Sequence, residues 1–248
     1  MSERAKIYGR RPVEEAFRAG LRFEQVWLDH RVTGPFADYV RRSCDERNVP
    51  LKFVPRYQLD RLISANHQGV IAEVALLDYA KPDALVAAAE GGGFLLLLDG
   101  VTDVRNFGAI ARTAFAAGCA GVAIPQKQRA PINAAAVKAS AGALSHLLVA
   151  RVGSLATYVS YLREAGFRVV CVEGRGKREL ESETLFDTPV AFVLGSEEKG
   201  VSAAVRRAAN ASVRLPQATA FDSYNVSVAA GMLAYEFLRQ NPGLRPEE

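Results

Sequence analysis

Phe94-Leu95-Leu96-Leu97-Leu98, followed at once by Asp99-Gly100, is the stretch on which the reading of the fold turns. Five consecutive large apolar residues leave no polar face for water. A half-exposed strand would alternate, so this run belongs to a strand covered on both sides, as in a parallel sheet flanked by helices. Downstream, strand-like runs recur at 121–124, 168–172, 190–194 and 212–215. Helical patterns fall between and after them, at 109–117, 134–147, 155–165, 203–209 and 226–239. That rhythm predicts an open, mostly parallel α/β sheet with helices on both faces. Ligands in such sheets sit beyond the C-terminal ends of the strands, so the loops after Leu98, Leu194 and Leu215 are the places to look.

Upstream of the run the rhythm is shorter. Helical patterns at 13–19, 36–44 and 57–63 alternate with strands at 25–28, 52–54 and 70–74, predicting a small α/β module over 1–78. Pro82 and the triple glycine Gly91-Gly92-Gly93 then suggest a linker at 79–93, and a larger domain at 94–248. Hydrophobic residues make up 49% of the 248 and charged ones 23%, a balance that suits a soluble protein with a substantial core. The longest apolar stretches are far short of a membrane span, and the polar N-terminus carries no signal core. Cys44, Cys119 and Cys171 lie far apart, which argues against a disulfide framework and fits a reducing cytoplasm. A net charge of +4 permits a polyanionic partner without demanding one.

Several familiar sites can be rejected. The segment Gly195-Ser196-Glu197-Glu198-Lys199-Gly200 has the glycine spacing of a P-loop, but Val201 stands where the phosphate-binding lysine must be. Gly174-Arg175-Gly176 lacks the third glycine of a dinucleotide loop. His30, His67 and His146 are not spaced to hold a metal, and no nucleophile elbow is present. What remains is three polar loops, each just after a predicted strand. The first runs from Leu98 to Arg112 and carries Asn106, a candidate cap for the helix that follows, and Gly108. The second is Leu194 to Gly200. The third runs from Arg214-Leu215-Pro216 to Ser223-Tyr224-Asn225-Val226-Ser227.

Together these loops resemble the signature motifs of the SpoU/TrmH family of RNA 2′-O-ribose methyltransferases. An N-x-G-x-x-x-R loop is matched by Asn106, Gly108 and Arg112, and a G-x-E-x-x-G loop by Gly195, Glu197 and Gly200. An I-P-M-x-G stretch and an S-L-N-V-S run are matched in part by Leu215-Pro216 and by Ser223 to Ser227. Here Gln217 and Thr219 replace the family's Met and Gly, and Tyr224 its Leu. The stretch from Val137 to Ala143 is similar to a further family segment. Ile7-Tyr8-Gly9-Arg10 and His67-Gln68-Gly69-Val70 resemble the ends of the small substrate-binding domain of one branch, whose members modify a guanosine ribose in large-subunit ribosomal RNA.

The resemblance implies a parallel-sheet catalytic domain closed by a C-terminal deep trefoil knot, preceded by a small RNA-binding domain. It implies S-adenosylmethionine as cofactor, RNA as substrate, a homodimer and no metal. Asn106, Arg112, Glu197, Ser223 and Asn225 become candidate catalytic residues. Gly195, Leu215 and Tyr224 are candidate cofactor contacts, and Lys127 and Arg129 in a basic loop are candidates for RNA phosphate. The resemblance casts Arg112 as a base. A guanidinium does not give up its proton in proteins, which favours electrostatic assistance or a grip on a phosphate instead, with Glu197 holding Arg112 or a loop amide in place. Singly, each of these polar residues is more often a cap, a local backbone partner or a solvated charge. Three other readings stay open: a tRNA methyltransferase, a catalytically silent RNA-binding factor, and a small-molecule α/β enzyme.

Overall fold

A computed structural model of the chain describes residues 2–18, 20–130, 132–174, 178–180, 189–219 and 223–244. The chain divides into two units, Met1–Asp78 and Tyr79–Glu248.

The first unit runs β1 (Ser2–Tyr8), α1 (Arg10–Arg18), β2 (Arg22–Asp29), α2 (Pro35–Glu46), β3 (Leu51–Val54), α3 (Arg56–Leu62) and β4 (Val70–Asp78). Its four-stranded sheet has the order β1-β4-β2-β3, with β4 antiparallel to β1 and β2, and β3 parallel to β2. The alternation of a strand decides which residues meet which helix. Trp27 and Ile71, opposed in register, pack with Leu59 of α3, while Val26, Leu28, Val70 and Ala72 are wholly buried on the other side. In α1 the helical spacing of Val13, Ala16 and Phe17 buries one stripe, and Phe17 stacks on Phe23 at 3.8 Å. By this topology β1, β2 and β3 all end at the sheet edge where β4 begins. Strand β1 escapes a hydrophobicity reading because charged residues occupy much of it.

In the second unit the order is α4 (Pro82–Ala89), β5 (Phe94–Asp99), α5 (Val104–Ala116), β6 (Cys119–Pro125), α6 (Ala134–Ala139), β7 (Val149–Val152) and α7 (Leu155–Glu164). There follow β8 (Arg168–Val172), β9 (Arg178–Glu179), β10 (Val190–Gly195), α8 (Ala203–Ala208), β11 (Ala211–Arg214) and α9 (Val226–Gln240). Among the described residues these strands form one parallel sheet in the order β7-β6-β5-β10-β8-β11-β9, the last being a two-residue edge. β5 and β10 lie in the middle, and residues 94–98 are all buried. Leu95 and Leu97 face a core shared with α4, α7 and α8, through Leu85, Val159 and Val205 among others. Phe94 meets Phe192 and, from α9, Phe237. Both faces of the sheet are therefore covered, as the apolar run predicts.

Two expectations need correction. Residues 79–93 are not merely a linker. Pro82 opens α4, Leu85 is fully buried in the core, and Ala80 bridges to Ala150. The helix expected over 134–147 ends at Ala139, turns through left-handed Ala141 and Gly142, and resumes as a short 3-10 turn, Ala143–Ser145. Ser140, wholly buried, bonds back to the Val137 carbonyl at 2.8 Å, the competing interaction that helical periodicity cannot register. Strand β7 was also not anticipated, being four residues between two helical patterns.

Candidate active site

The site grows from the neighbouring C-terminal ends of β5 and β10, where Asp99 and Gly195 stand in register. The Asp99 carboxylate accepts from the Ser202 amide at 2.7 Å, joining the end of β5 to the far side of the loop after β10. Gly195 is required sterically: a Cβ there would lie 2.0 Å from the Gly200 carbonyl carbon. The loop closes on itself, Gly200 donating its amide to the Ser196 carbonyl at 2.8 Å. This hairpin of backbone carries Glu197 outward.

Asn106 does not cap α5. Asp103 does, accepting from the amides of Arg105 and Asn106 at 2.8 and 2.9 Å. The Asn106 side chain, in the first turn, is thereby free to work elsewhere. It donates to Glu197 Oε1 at 2.8 Å, and Asn225 donates to the same oxygen at 2.7 Å. Asn225 also donates to Asn106 Oδ1 at 3.2 Å, and its own Oδ1 accepts from the Ser227 amide, capping α9. Residues 91 and 119 positions apart in the chain thus form one hydrogen-bonded trio, one member from each of the three loops. Gly108 lets this arrangement stand close to α6, since a Cβ there would meet that of Ala139 at 2.4 Å.

Two clefts share the Glu197 loop as a wall. The larger, about 690 Å³, is lined by Gly195, Leu215, Ser223, Tyr224 and Val226, with Glu173 and Arg206 further along. The smaller, about 280 Å³, is lined by Thr102, Asp103, Asn106, Gln128 and Glu197. A carboxylate held by two amides between two clefts suits a transfer from a group bound in one to a group bound in the other. Tyr224, in place of a leucine, donates its hydroxyl to the Pro216 carbonyl at 2.9 Å, a tie across the third loop that leucine lacks.

Glu173 and Arg206 escaped the sequence reading. Arg206 Nε donates to both Glu173 oxygens at 2.8 and 3.0 Å, and its Nη2 to the Val201 carbonyl at 3.0 Å. The hydrogen bond with Glu173 raises the Arg206 pKa further above its ordinary value. The available signal was position: Glu173 directly follows β8, at the strand ends where ligands gather. Behind it Cys171 is wholly buried, and burial, with Glu173 adding to it, pushes its thiol up to about 12.

The other candidates fall less neatly. Arg112 is exposed on α5, and among the described residues it makes no hydrogen bond or ion pair; Glu197 does not hold it. Six residues turn a helix by roughly 600°, so Arg112 points about 120° away from Asn106. Ser223 is exposed at the mouth of the larger cleft. Lys127 is exposed, whereas Arg129 is half-buried, its guanidinium 5.9 Å from the Tyr79 ring and donating to the Ala130 carbonyl. Of the basic loop after β8, residues 175–177 lie outside the described residues, as does Pro131. Among the described residues no cluster of potential ligands could hold a metal ion.

Comparison with known proteins agrees with this geometry. Residues 93–235 match the model of the SpoU rRNA Methylase family, and residues 6–80 that of the RNA 2′-O ribose methyltransferase substrate-binding domain. YacO of Bacillus subtilis (strain 168), described as a TrmH family tRNA/rRNA methyltransferase, is 34% identical over 95% of this chain and 96% of its own. The crystal structure of an AdoMet-bound rRNA methyltransferase from Sinorhizobium meliloti superposes with a TM-score of 0.70 at 24% identity, covering 98% of this chain and 89% of that one. That of an RNA 2′-O ribose methyltransferase reaches 0.60 at 27% identity, over 97% and 90% of the two chains. The α/β sheet, the order of the three loops and these matches agree: the chain belongs to the SpoU rRNA methylase family of RNA methyltransferases.

Proposed function

We propose that this enzyme transfers a methyl group from S-adenosylmethionine to the ribose 2′-hydroxyl of a guanosine in large-subunit ribosomal RNA. The observation that carries the reading is the trio Asn106–Glu197–Asn225 standing between two clefts. The larger cleft fits the cofactor. Its volume suits a nucleoside-sized ligand, Leu215 and Val226 offer an apolar wall, and Glu198 adds negative charge at its rim. Bound there, S-adenosylmethionine supplies an electrophilic methyl group on a sulfonium.

The chain's own residues prepare the acceptor. Glu197 Oε1 is held by both asparagines, and among the described residues Oε2 accepts no hydrogen bond. Oε2 orients the 2′-hydroxyl and draws on its proton, which a hydroxyl must begin to lose before it is a useful nucleophile. Holding the carboxylate at one oxygen fixes the other, and such positioning supplies much of the rate. Ser223 and Tyr224 border the cofactor, and Gly195 gives it backbone to lie against. Arg112 and Lys127 grip RNA phosphates, with Arg129 supporting that loop over Tyr79. The family's trefoil knot and a homodimer complete the reading. Phe115 of α5 and Val228 and Tyr235 of α9 are exposed apolar residues on two helices that pack together, a surface suited to a second copy. No described helix is long and apolar enough to cross a membrane, and three buried unpaired cysteines suit the cytoplasm.

A tRNA substrate is the second reading, favoured by the tRNA/rRNA wording of the Bacillus relative. Incubating rRNA and tRNA separately with labelled S-adenosylmethionine and mapping alkali-resistant linkages decides between them. Label in rRNA at a 2′-O-methylguanosine is expected. Label in tRNA alone overturns the rRNA assignment, and label in neither overturns the enzyme reading. Glu197→Gln is expected to lower turnover by roughly a hundredfold or more, and Arg112→Ala to raise KM for RNA, both leaving cofactor affinity nearly unchanged.

A further inference from the structure

In the first unit, the edge where β1, β2 and β3 end and β4 begins holds a notch of about 720 Å³ lined by residues of that unit alone. Arg10, Arg31 and Arg56 line it, with Asn66 and Gln68 beside them and Asp29 as the only carboxylate among its lining residues. Asp29 is spent on Arg31. It is 3% exposed and takes the guanidinium of Arg31 on both oxygens, at 3.2 and 3.1 Å, and the Arg31 hydrogen bond lowers its pKa. Among the described residues Arg10 and Arg56 have no carboxylate partner. The notch therefore presents two guanidinium groups without a carboxylate partner, that of Arg10 lying over the Phe36 ring at 5.2 Å, and one fixed by a buried anion.

Its floor is built, not incidental. His67, 1% exposed, accepts the Gly69 amide at Nδ1 (3.0 Å), so the hydrogen sits on Nε2 and is donated to Asp60 at 2.9 Å. Gly69 has φ +82°, and a Cβ there would lie 2.5 Å from Val32. Gln68 has φ +51°, a conformation that a glutamine adopts at a cost, and it is held there with its carbonyl oxygen accepting the Arg10 amide at 3.0 Å. That leaves the Gln68 NH₂ and the whole Asn66 amide for a ligand. A strained residue whose side chain lines a basic notch is a pattern typical of binding sites.

We propose that this notch binds an unpaired nucleotide of the RNA substrate, with Arg10 and Arg56 on its flanking phosphates and the amides of Asn66 and Gln68 on the base edge. A concave notch with planar guanidinium forks suits phosphates, and side-chain amides match the hydrogen-bonding edges that a base exposes only when unpaired. A duplex, recognised by its shape and backbone, has no extruded group to enter it. The proposal rests on the RNA-methyltransferase reading and adds that the small unit selects unpaired structure before any chemistry takes place.

The test uses the full chain and two RNA probes of equal length, a stem with an unpaired loop and a perfect duplex, titrated at several salt concentrations. Arg10→Ala with Arg56→Ala is expected to weaken loop binding about 10- to 100-fold at physiological salt and to reduce the salt slope by roughly 1.4, at about 0.7 per phosphate of a single strand. Arg18→Ala, which removes one charge from the far end of α1, is expected to leave binding within a factor of two or so. Gln68→Gly is the sharpest variant. It relieves the left-handed strain but removes the bond to the Arg10 amide, so melting temperature changes little, yet loop affinity falls about tenfold while duplex affinity does not. In methylation assays the double arginine variant raises KM for RNA and keeps kcat. Loop binding equal to the parent's in both the arginine and the Gln68 variants overturns the proposal. So does an equal loss for loop and duplex, which would leave only a basic surface. If the parent itself methylates no RNA, the proposed function fails; if it methylates and the variants keep KM, the notch alone fails.

Discussion

Glu197 illustrates how much one side chain's meaning depends on its partners. Alone on a loop it is a solvated acid; with Asn106 and Asn225 on one oxygen it is an oriented acid. Asn106→Ala or Asn225→Ala removes one of two restraints on that oxygen. Each is expected to reduce kcat by roughly tenfold to a hundredfold, and the double variant by less than the product, because both act on one group. Single-turnover kinetics on the variants checks this, and full additivity would dissociate the pair. Cysteine chemistry can be argued at the same scale. Burial pushes the thiols of Cys44, Cys119 and Cys171 up to about 11, about 12 and about 12. Since the thiolate is the reactive form, all three are expected to resist a disulfide reagent at pH 8 in the native protein and to react at once in denaturant. Rapid labelling of the native chain would contradict it.

Among the elements, α5 does the most for the site, because its cap decides where Asn106 points. Asp103→Ala leaves two amides without their partner and is expected to cost about 1 kcal/mol of stability. It should also lower kcat with little change in cofactor affinity, since the helix start would shift under Asn106. Denaturant unfolding and steady-state kinetics on one preparation test both effects. Leu97→Ala in β5 acts otherwise. It opens a cavity between the sheet and α4 and α7, and is expected to cost about 2–5 kcal/mol. Helix positions were legible at 155–165 and 226–239, where apolar residues recur at helical spacing. The break after Ala139 was not, because it depends on a buried serine bonding backward.

Across the whole molecule, homodimer formation is the prediction that bears on the site. Tyr235 is 68% exposed on α9 and Val228 is 50% exposed, seven residues apart on one face. If the proposed homodimer forms, the parent scatters light as a dimer and Tyr235→Arg as a monomer, with methyl transfer falling in parallel. A parent that is monomeric at micromolar concentration removes the dimer from the proposal.

The amino-acid sequence by itself determined the parallel α/β class, through an apolar run that only a doubly covered strand can accommodate. It also determined the three loops, because strand ends, glycines and polar residues recur at fixed local spacing. Which loop residues touch was settled only by the tertiary structure. Local patterns reach a few residues, while Asn106, Glu197 and Asn225 meet across 91 and 28 positions, because β5 and β10 are neighbours in space and not in the chain. Where α5 begins is a finer matter: Asp103, and not Asn106, proved to be the cap, which freed the Asn106 side chain to reach Glu197. Glu173, placed at the cleft by the end of β8, found its partner Arg206 only across 33 positions of the chain. Periodicity identifies what is buried; contact between distant segments decides what the exposed polar groups can do.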